Sequence, residues 1–93
     1  MLSQIPFDPK NVGKGDVIKE ILRVAIAAEF DAISLYEQLA AASNRDDIKK
    51  VFQDIAKEEK THAGEFQAML LREDKEQVVE LEGGKKEVDE LLR

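Results

Sequence analysis

Two glutamates and one histidine occupy positions where apolar side chains are expected. Glu29 and Glu59 each lie in a stretch of helical period, and the residues one and two turns away are apolar, with His62 the single polar exception. A buried carboxylate without a partner is costly or becomes protonated. No lysine or arginine lies on either predicted buried face, so a cation from outside the chain is the simplest partner.

A predicted hairpin brings these three side chains to one height. Glu29 lies 15 residues before Asn44 and Glu59 lies 15 residues after it. In an antiparallel pair of helices that turns at Asn44, both carboxylates stand ~22 Å from the turn. His62 follows Glu59 by one helical turn on the same face. One chain therefore offers a Glu and a Glu-x-x-His, which is half the ligand set of a di-iron carboxylate bundle.

Two copies related by a two-fold axis complete that set with four carboxylates and two imidazoles, which neutralise two divalent cations. Mixed carboxylate and imidazole ligands favour iron, manganese or zinc over calcium or magnesium, and four carboxylates over two metals favour iron or manganese. The apolar arc of the first helix also covers more than half its circumference, which one neighbouring helix cannot bury. Both observations predict a dimer.

Structural interpretations of the same residues remain open. A lone Glu-x-x-His is common by chance, His62 alone is typical of a packed core, and buried polar groups serve pairing specificity in an adaptor hairpin. Tyr36, two turns after Glu29, is either a core aromatic or a group that bonds a ligand carboxylate or gates electrons. Asp31 is either a solvated side chain or part of a path that attracts cations. Rubrerythrin-like peroxide reduction is a further alternative, although no Cys-x-x-Cys is present to supply electrons.

Three segments are predicted. Residues 1–15 hold both prolines and no helical period, which indicates an extended or flexible arm. Residues 16–72 form the hairpin, and residues 73–93 form a short helical segment. Its helix is expected to start at Asp74, with the capping pattern to Gln77, and to break at the Gly83-Gly84 pair, after which a last turn or two follows. Asp16 is the expected N-cap of the first helix, and Asn44 is expected to end it and to cap the second.

The composition agrees with helices and excludes several classes of protein. The 93 residues are 43% hydrophobic, 37% charged and 5% aromatic, with a net charge of −6. There is no cysteine, which excludes disulfides, thiolate metal sites and cysteine nucleophiles. No basic patch favours nucleic acid or an anionic membrane surface, and no apolar run or signal peptide is evident. We expect a cytoplasmic all-α protein: an antiparallel two-helix hairpin plus short C-terminal helices, dimerising into a four-helix bundle.

The segments AEFDAISLYE (residues 28–37) and EEKTHA (residues 58–63) resemble the encapsulated ferritins, the two-helix branch of the ferritin-like superfamily. The resemblance extends over roughly residues 16–92. It implies a two-chain di-iron ferroxidase centre whose matching ligands are Glu29, Glu59 and His62, with iron as the metal and manganese or zinc as substitutes.

The resemblance also assigns neighbouring positions. Tyr36 matches a tyrosine near the centre, and Asp31 matches a carboxylate on the path by which metal reaches it. A second such carboxylate is replaced by Ala28, and an aromatic residue before the tyrosine is replaced by Leu35. Members of the family form rings of dimers, typically decamers, and oxidise Fe(II) for mineral storage inside an encapsulin shell.

Overall fold

The computed structural model describes Lys10 and residues 16–93, and this part of the chain consists of three helices. Their bounds are α1 (Val17–Ala42), α2 (Asp46–Glu73) and α3 (Lys75–Leu91). The predicted all-α class is confirmed. The predicted arm lies outside the described residues apart from Lys10. None of the three helices has the length and apolar character needed to span a bilayer.

Helices α1 and α2 form an antiparallel hairpin. Arg23, early in α1, pairs with Asp74 just after α2, whereas Glu37, late in α1, pairs with Lys60 in the middle of α2. Long helices with a short connection pack in this way because the chain has no length to reach any other neighbour. The hairpin predicted from the helical periods is therefore present.

The turn between the helices depends on Ser43 rather than Asn44. Ser43 is the C-cap of α1 and Arg45 is the N-cap of α2, both with extended backbone. The Ser43 hydroxyl accepts a hydrogen bond from the Arg45 backbone N–H and donates one to the Arg45 carbonyl. The prediction that Asn44 ends one helix and caps the next is wrong, because the serine hydroxyl satisfies the backbone groups on the far side of the turn.

A single residue, Asp74, connects α2 to α3. Its backbone is extended, and its carboxylate accepts hydrogen bonds from the Gln77 N–H and the Arg23 guanidinium, both at 3.0 Å. Asp74 is 8% exposed and is the buried charged residue of the described chain. The predicted cap at the start of the third helix is confirmed. By contrast, Asp16 stands at the N-cap of α1 but makes no side-chain cap hydrogen bond.

The glycine pair does not break α3, contrary to the sequence-based expectation. Helix α3 continues through Gly83 and Gly84 to Leu91 as one helix of 17 residues. Neither glycine has a positive φ, so both adopt the ordinary helical backbone. A glycine disfavours a helix by only about 1 kcal/mol relative to alanine, and the surrounding Glu, Lys and Leu residues are good helix formers.

The core of the chain is a narrow seam between α1 and α2. Its buried apolar residues are three alanines, one isoleucine and one leucine: Ile33, Ala40, Ala56, Ala63 and Leu70. Several large apolar side chains of the hairpin stay exposed, namely Ile18, Ile21, Leu39, Val51 and Met69. Two helices cannot cover one another's apolar arcs. These exposed side chains are therefore the physical reason for predicting a dimer.

Asp74 is expected to make stability depend on pH. The hydrogen bond from the Gln77 N–H, together with the charges of Lys19 and Arg23, holds the pKa of Asp74 below its ordinary value, against the opposing effect of burial. A depressed folded pKa contributes stability above the unfolded pKa, and this contribution is lost as pH falls through the folded pKa.

Asp74→Asn should therefore have a lower free energy of unfolding than the parent at pH 7, and the difference should vanish in acid. Urea unfolding followed by circular dichroism from pH 7 to pH 3 measures this, with Asp16→Asn as the control. A difference that is constant with pH contradicts the assignment.

Gly84→Ala should strengthen α3. A Cβ at this position meets no other atom within 4 Å, and the substitution removes a helix penalty of about 1 kcal/mol. We expect higher helicity by far-UV circular dichroism and slower amide exchange in residues 85–91. Gly64→Ala, equally open in α2, should instead raise the global unfolding midpoint. A loss of helicity in Gly84→Ala would show that the pair needs glycine.

Candidate metal centre

Three of the predicted site residues meet between α1 and α2. Glu29 projects from α1, and Glu59 and His62 project from α2 one turn apart. The His62 Nδ1 lies 3.4 Å from Glu59 Oε2 and 3.7 Å from Glu29 Oε2. One potential ligand atom from each residue lies within 4.8 Å of the other two. The equal spacing from the turn explains this meeting, because antiparallel helices bring residues at equal distances from their connection to the same height.

The two carboxylates are largely withdrawn from solvent, whereas the histidine is not. The exposed fractions of the side chains are 17% for Glu29, 20% for Glu59 and 47% for His62. The close approach of the Glu59 carboxyl, followed by burial, raises the pKa of Glu29, and His62 opposes this effect. A cation bound between the two carboxylates would favour the ionised form of Glu29, because an opposite charge nearby lowers the pKa of a carboxyl group.

The group fits a divalent transition metal. Glu29 Oε2 is buried and has no hydrogen-bond partner in the described structure, which is unusual for a buried polar atom. At 3.4 and 3.7 Å the imidazole is too distant to form short hydrogen bonds with the carboxylates. Two carboxylate oxygens and an imidazole nitrogen are the donor set that iron, manganese and zinc accept in proteins. A cation held between them satisfies the orphaned oxygen.

The remaining two predicted residues lie outside this group. The ring of Tyr36 stacks on Phe52 of α2, with centroids 6.0 Å apart and an interplanar angle of 19°. Asp31 is half-buried on α1 and is not among the three residues whose ligand atoms converge. The roles predicted for Tyr36 and Asp31 stay predictions.

Two neighbouring features complete the description of this region. Lys60, next to Glu59, pairs with Glu37 of α1 at 2.9 Å, although helical spacing directs attention to partners on the same helix. Ala56 and Ala63, which precede and follow Glu59 by about one turn, are 2% and 6% exposed. Both belong to the apolar residues that helical spacing places one turn from Glu59, and their burial confirms that this side of α2 faces inward.

Residues 20–91 match the rubrerythrin family. In sequence, the chain is 57% identical over 74 residues to a ferritin-like–encapsulin shell fusion protein of Pyrococcus furiosus, an alignment covering 80% of this chain and 21% of the relative. It is 39% identical over 56 residues to the encapsulin nanocompartment cargo protein EncC of Myxococcus xanthus, covering 60% of this chain and 43% of the relative. The alignments thus span less than half the length of either protein.

A solved structure agrees over nearly the whole chain. The crystal structure of the encapsulated ferritin domain from Pyrococcus furiosus superposes with a TM-score of 0.83 at 46% identity, covering 95% of both chains. The chain therefore belongs to the rubrerythrin family and, within it, to the encapsulated ferritins.

Proposed function

We propose that this protein is a ferroxidase that oxidises Fe(II) to Fe(III) at a di-iron centre formed between two chains. The observation that carries the proposal is the convergence of Glu29, Glu59 and His62 around a buried carboxylate oxygen that has no hydrogen-bond partner among the described residues. Iron is the substrate: two Fe(II) ions each lose one electron, and the electron pair reduces dioxygen and two protons to hydrogen peroxide, or peroxide and two protons to water.

The need for two chains follows from charge and exposure. One chain offers two carboxylates and one imidazole, whereas a di-iron carboxylate centre takes four carboxylates and two imidazoles. His62 is half-exposed, and Val51 and Met69, which share its side of α2 by helical spacing, are exposed apolar residues. A second hairpin laid on this side buries the apolar residues and supplies the missing ligands.

Within this centre each side chain has a distinct role. Glu59 would be the ligand shared by the two ions, and Glu29 and His62 would each bind one of them. The protein holds the ions close together, neutralises their charge and leaves positions open for the oxidant. Asp31 attracts cations toward the site, and Tyr36 lies near enough in sequence, two turns beyond Glu29, to support a ligand carboxylate or to pass electrons.

The relatives suggest where the product goes. One is named as a fusion to an encapsulin shell and another as the cargo of an encapsulin nanocompartment. We infer that this protein works with an encapsulin shell, inside a compartment in the cytoplasm, for iron storage or detoxification. Assembly as a ring of dimers, such as a decamer, is part of the same proposal.

Removal of a ligand should abolish rapid iron oxidation. The experiment is stopped-flow absorbance after metal-free protein is mixed with Fe(II) in air. The rate of iron oxidation should be more than about 100-fold lower than that of the parent in Glu29→Ala, Glu59→Ala and His62→Ala. Loss of a residue that only supports a ligand already lowers metal affinity or activity by about 10–100-fold. Glu58→Ala, an exposed glutamate beside Glu59, is the matched control and should oxidise iron at the parental rate.

Other results of this experiment identify the rival functions. Ligand variants as fast as the parent overturn the site assignment. Slow oxidation by dioxygen, combined with rapid turnover of peroxide when a reductant is present, indicates a rubrerythrin-like peroxidase. A purified protein without stoichiometric metal and without oxidation is a structural or adaptor hairpin.

Metal should drive association of the chains. Four carboxylates repel one another across an interface until cations neutralise them. Analytical ultracentrifugation under anaerobic conditions should therefore show larger species with Fe(II) than with a chelator. Glu59→Ala should lose this difference, and Glu58→Ala should keep it. Identical profiles of the parent with Fe(II) and with chelator would rule out an interfacial centre.

A further inference from the structure

On α2, two alanine side chains line the seam on either side of Glu59. Ala56 lies three residues before Glu59 and Ala63 four residues after it, so by helical spacing all three lie on nearly the same side of α2. Ala56 and Ala63 are 2% and 6% exposed. Glu59 therefore stands between two tightly covered methyl groups that contribute almost no thickness to the contact with α1.

The separation of two packed helices is set by the side chains at their contact, over a range of about 8–10 Å between axes. A glutamate has a short reach, so a carboxylate on α1 meets ligands on α2 only where the backbones come close. Here the Glu29 oxygen that lacks a hydrogen-bond partner is buried and lies 3.7 Å from His62 Nδ1. A thicker seam moves this oxygen away from the two ligands on α2.

We propose that Ala56 and Ala63 are positioning residues that keep α1 close enough to α2 for Glu29 to join Glu59 and His62 at one metal ion. The inference rests on the proposed metal site and adds the determinant of its geometry. This function differs from the contribution of the alanines to the core. The distance between the ligands depends on the volume of the side chains at positions 56 and 63, whereas stability depends on both their volume and their helix propensity.

A graded substitution series separates the two effects. Glycine, serine and valine are placed in turn at position 63, and the same three at position 56, in the full chain, and each protein is titrated with Co(II) alone by visible absorbance. Affinity should fall with side-chain volume, so that Ala63→Gly binds as the parent, Ala63→Ser binds more weakly and Ala63→Val is weaker by about tenfold or more, as is typical when the support of a ligand is lost. Unfolding midpoints should instead be highest for the parent, because glycine lowers helix propensity and valine overpacks the seam.

The same series at Ala40 is the matched control. Ala40 is 3% exposed in the same seam but lies 11 residues after Glu29, about 16 Å along α1. Its variants should change the unfolding midpoint yet keep the parental Co(II) affinity and absorption spectrum.

Three results overturn the proposal. The first is a Co(II) affinity that follows the unfolding midpoint, with Ala63→Gly binding poorly. The second is parental affinity in both Ala56→Val and Ala63→Val. The third is an equal loss of affinity in Ala40→Val. If the parent chain binds no Co(II), both the metal site and the spacing role are refuted. If the parent binds Co(II) but the affinity does not depend on side-chain volume at either position, only the spacing role is refuted.

Discussion

A pair of carboxylates held together away from solvent governs this structure. Glu29 and Glu59 meet between two helices, and neither is paired with a lysine or arginine in residues 16–93. Two such groups repel one another when ionised, and the proximity of Glu59 raises the pKa of Glu29. Well-packed apolar side chains at buried positions often give a more stable fold than charged ones. The carboxylate pair is therefore the feature on which the proposed metal site depends.

The hairpin is well suited to such a site but poorly suited to stability on its own. Its seam is made largely of alanine, which brings the backbones together but buries little apolar area. Several large apolar side chains nevertheless remain exposed, among them Val51 and Met69 on the same side of α2 as His62. The hairpin thus combines buried alanines in its seam with an uncovered apolar face, on which a second hairpin is proposed to pack.

The sequence predicts well that the three candidate ligands meet, because two regular quantities determine their positions. Helical period identifies Glu29 and Glu59 as polar residues on apolar faces, and equal spacing from the turn brings them together. The same reasoning fails at local details that depend on competition between weak effects. Gly83 and Gly84 leave α3 intact because the penalty of a helical glycine is small and its neighbours favour the helix. At the turn, the hydroxyl of Ser43 replaces the predicted cap at Asn44.

Contacts between the helices were the least predictable feature. The pairing of Lys60 with Glu37, and of Arg23 with Asp74, depends on the rotation of each helix about its axis, which a single sequence does not specify. Sequence periodicity identifies which face of a helix is inward, and the structure adds which side chains on that face come closest.

The one-residue junction at Asp74 has a consequence for motion. This residue ends α2, caps α3 through the Gln77 N–H, and accepts a hydrogen bond from Arg23 of α1. Movement of α3 at its first turn therefore disturbs a carboxylate that also holds Arg23 of α1. The end of the molecule that holds all three helices should open as one cooperative unit in native-state exchange, while the alanine seam near the carboxylates exchanges separately and more slowly.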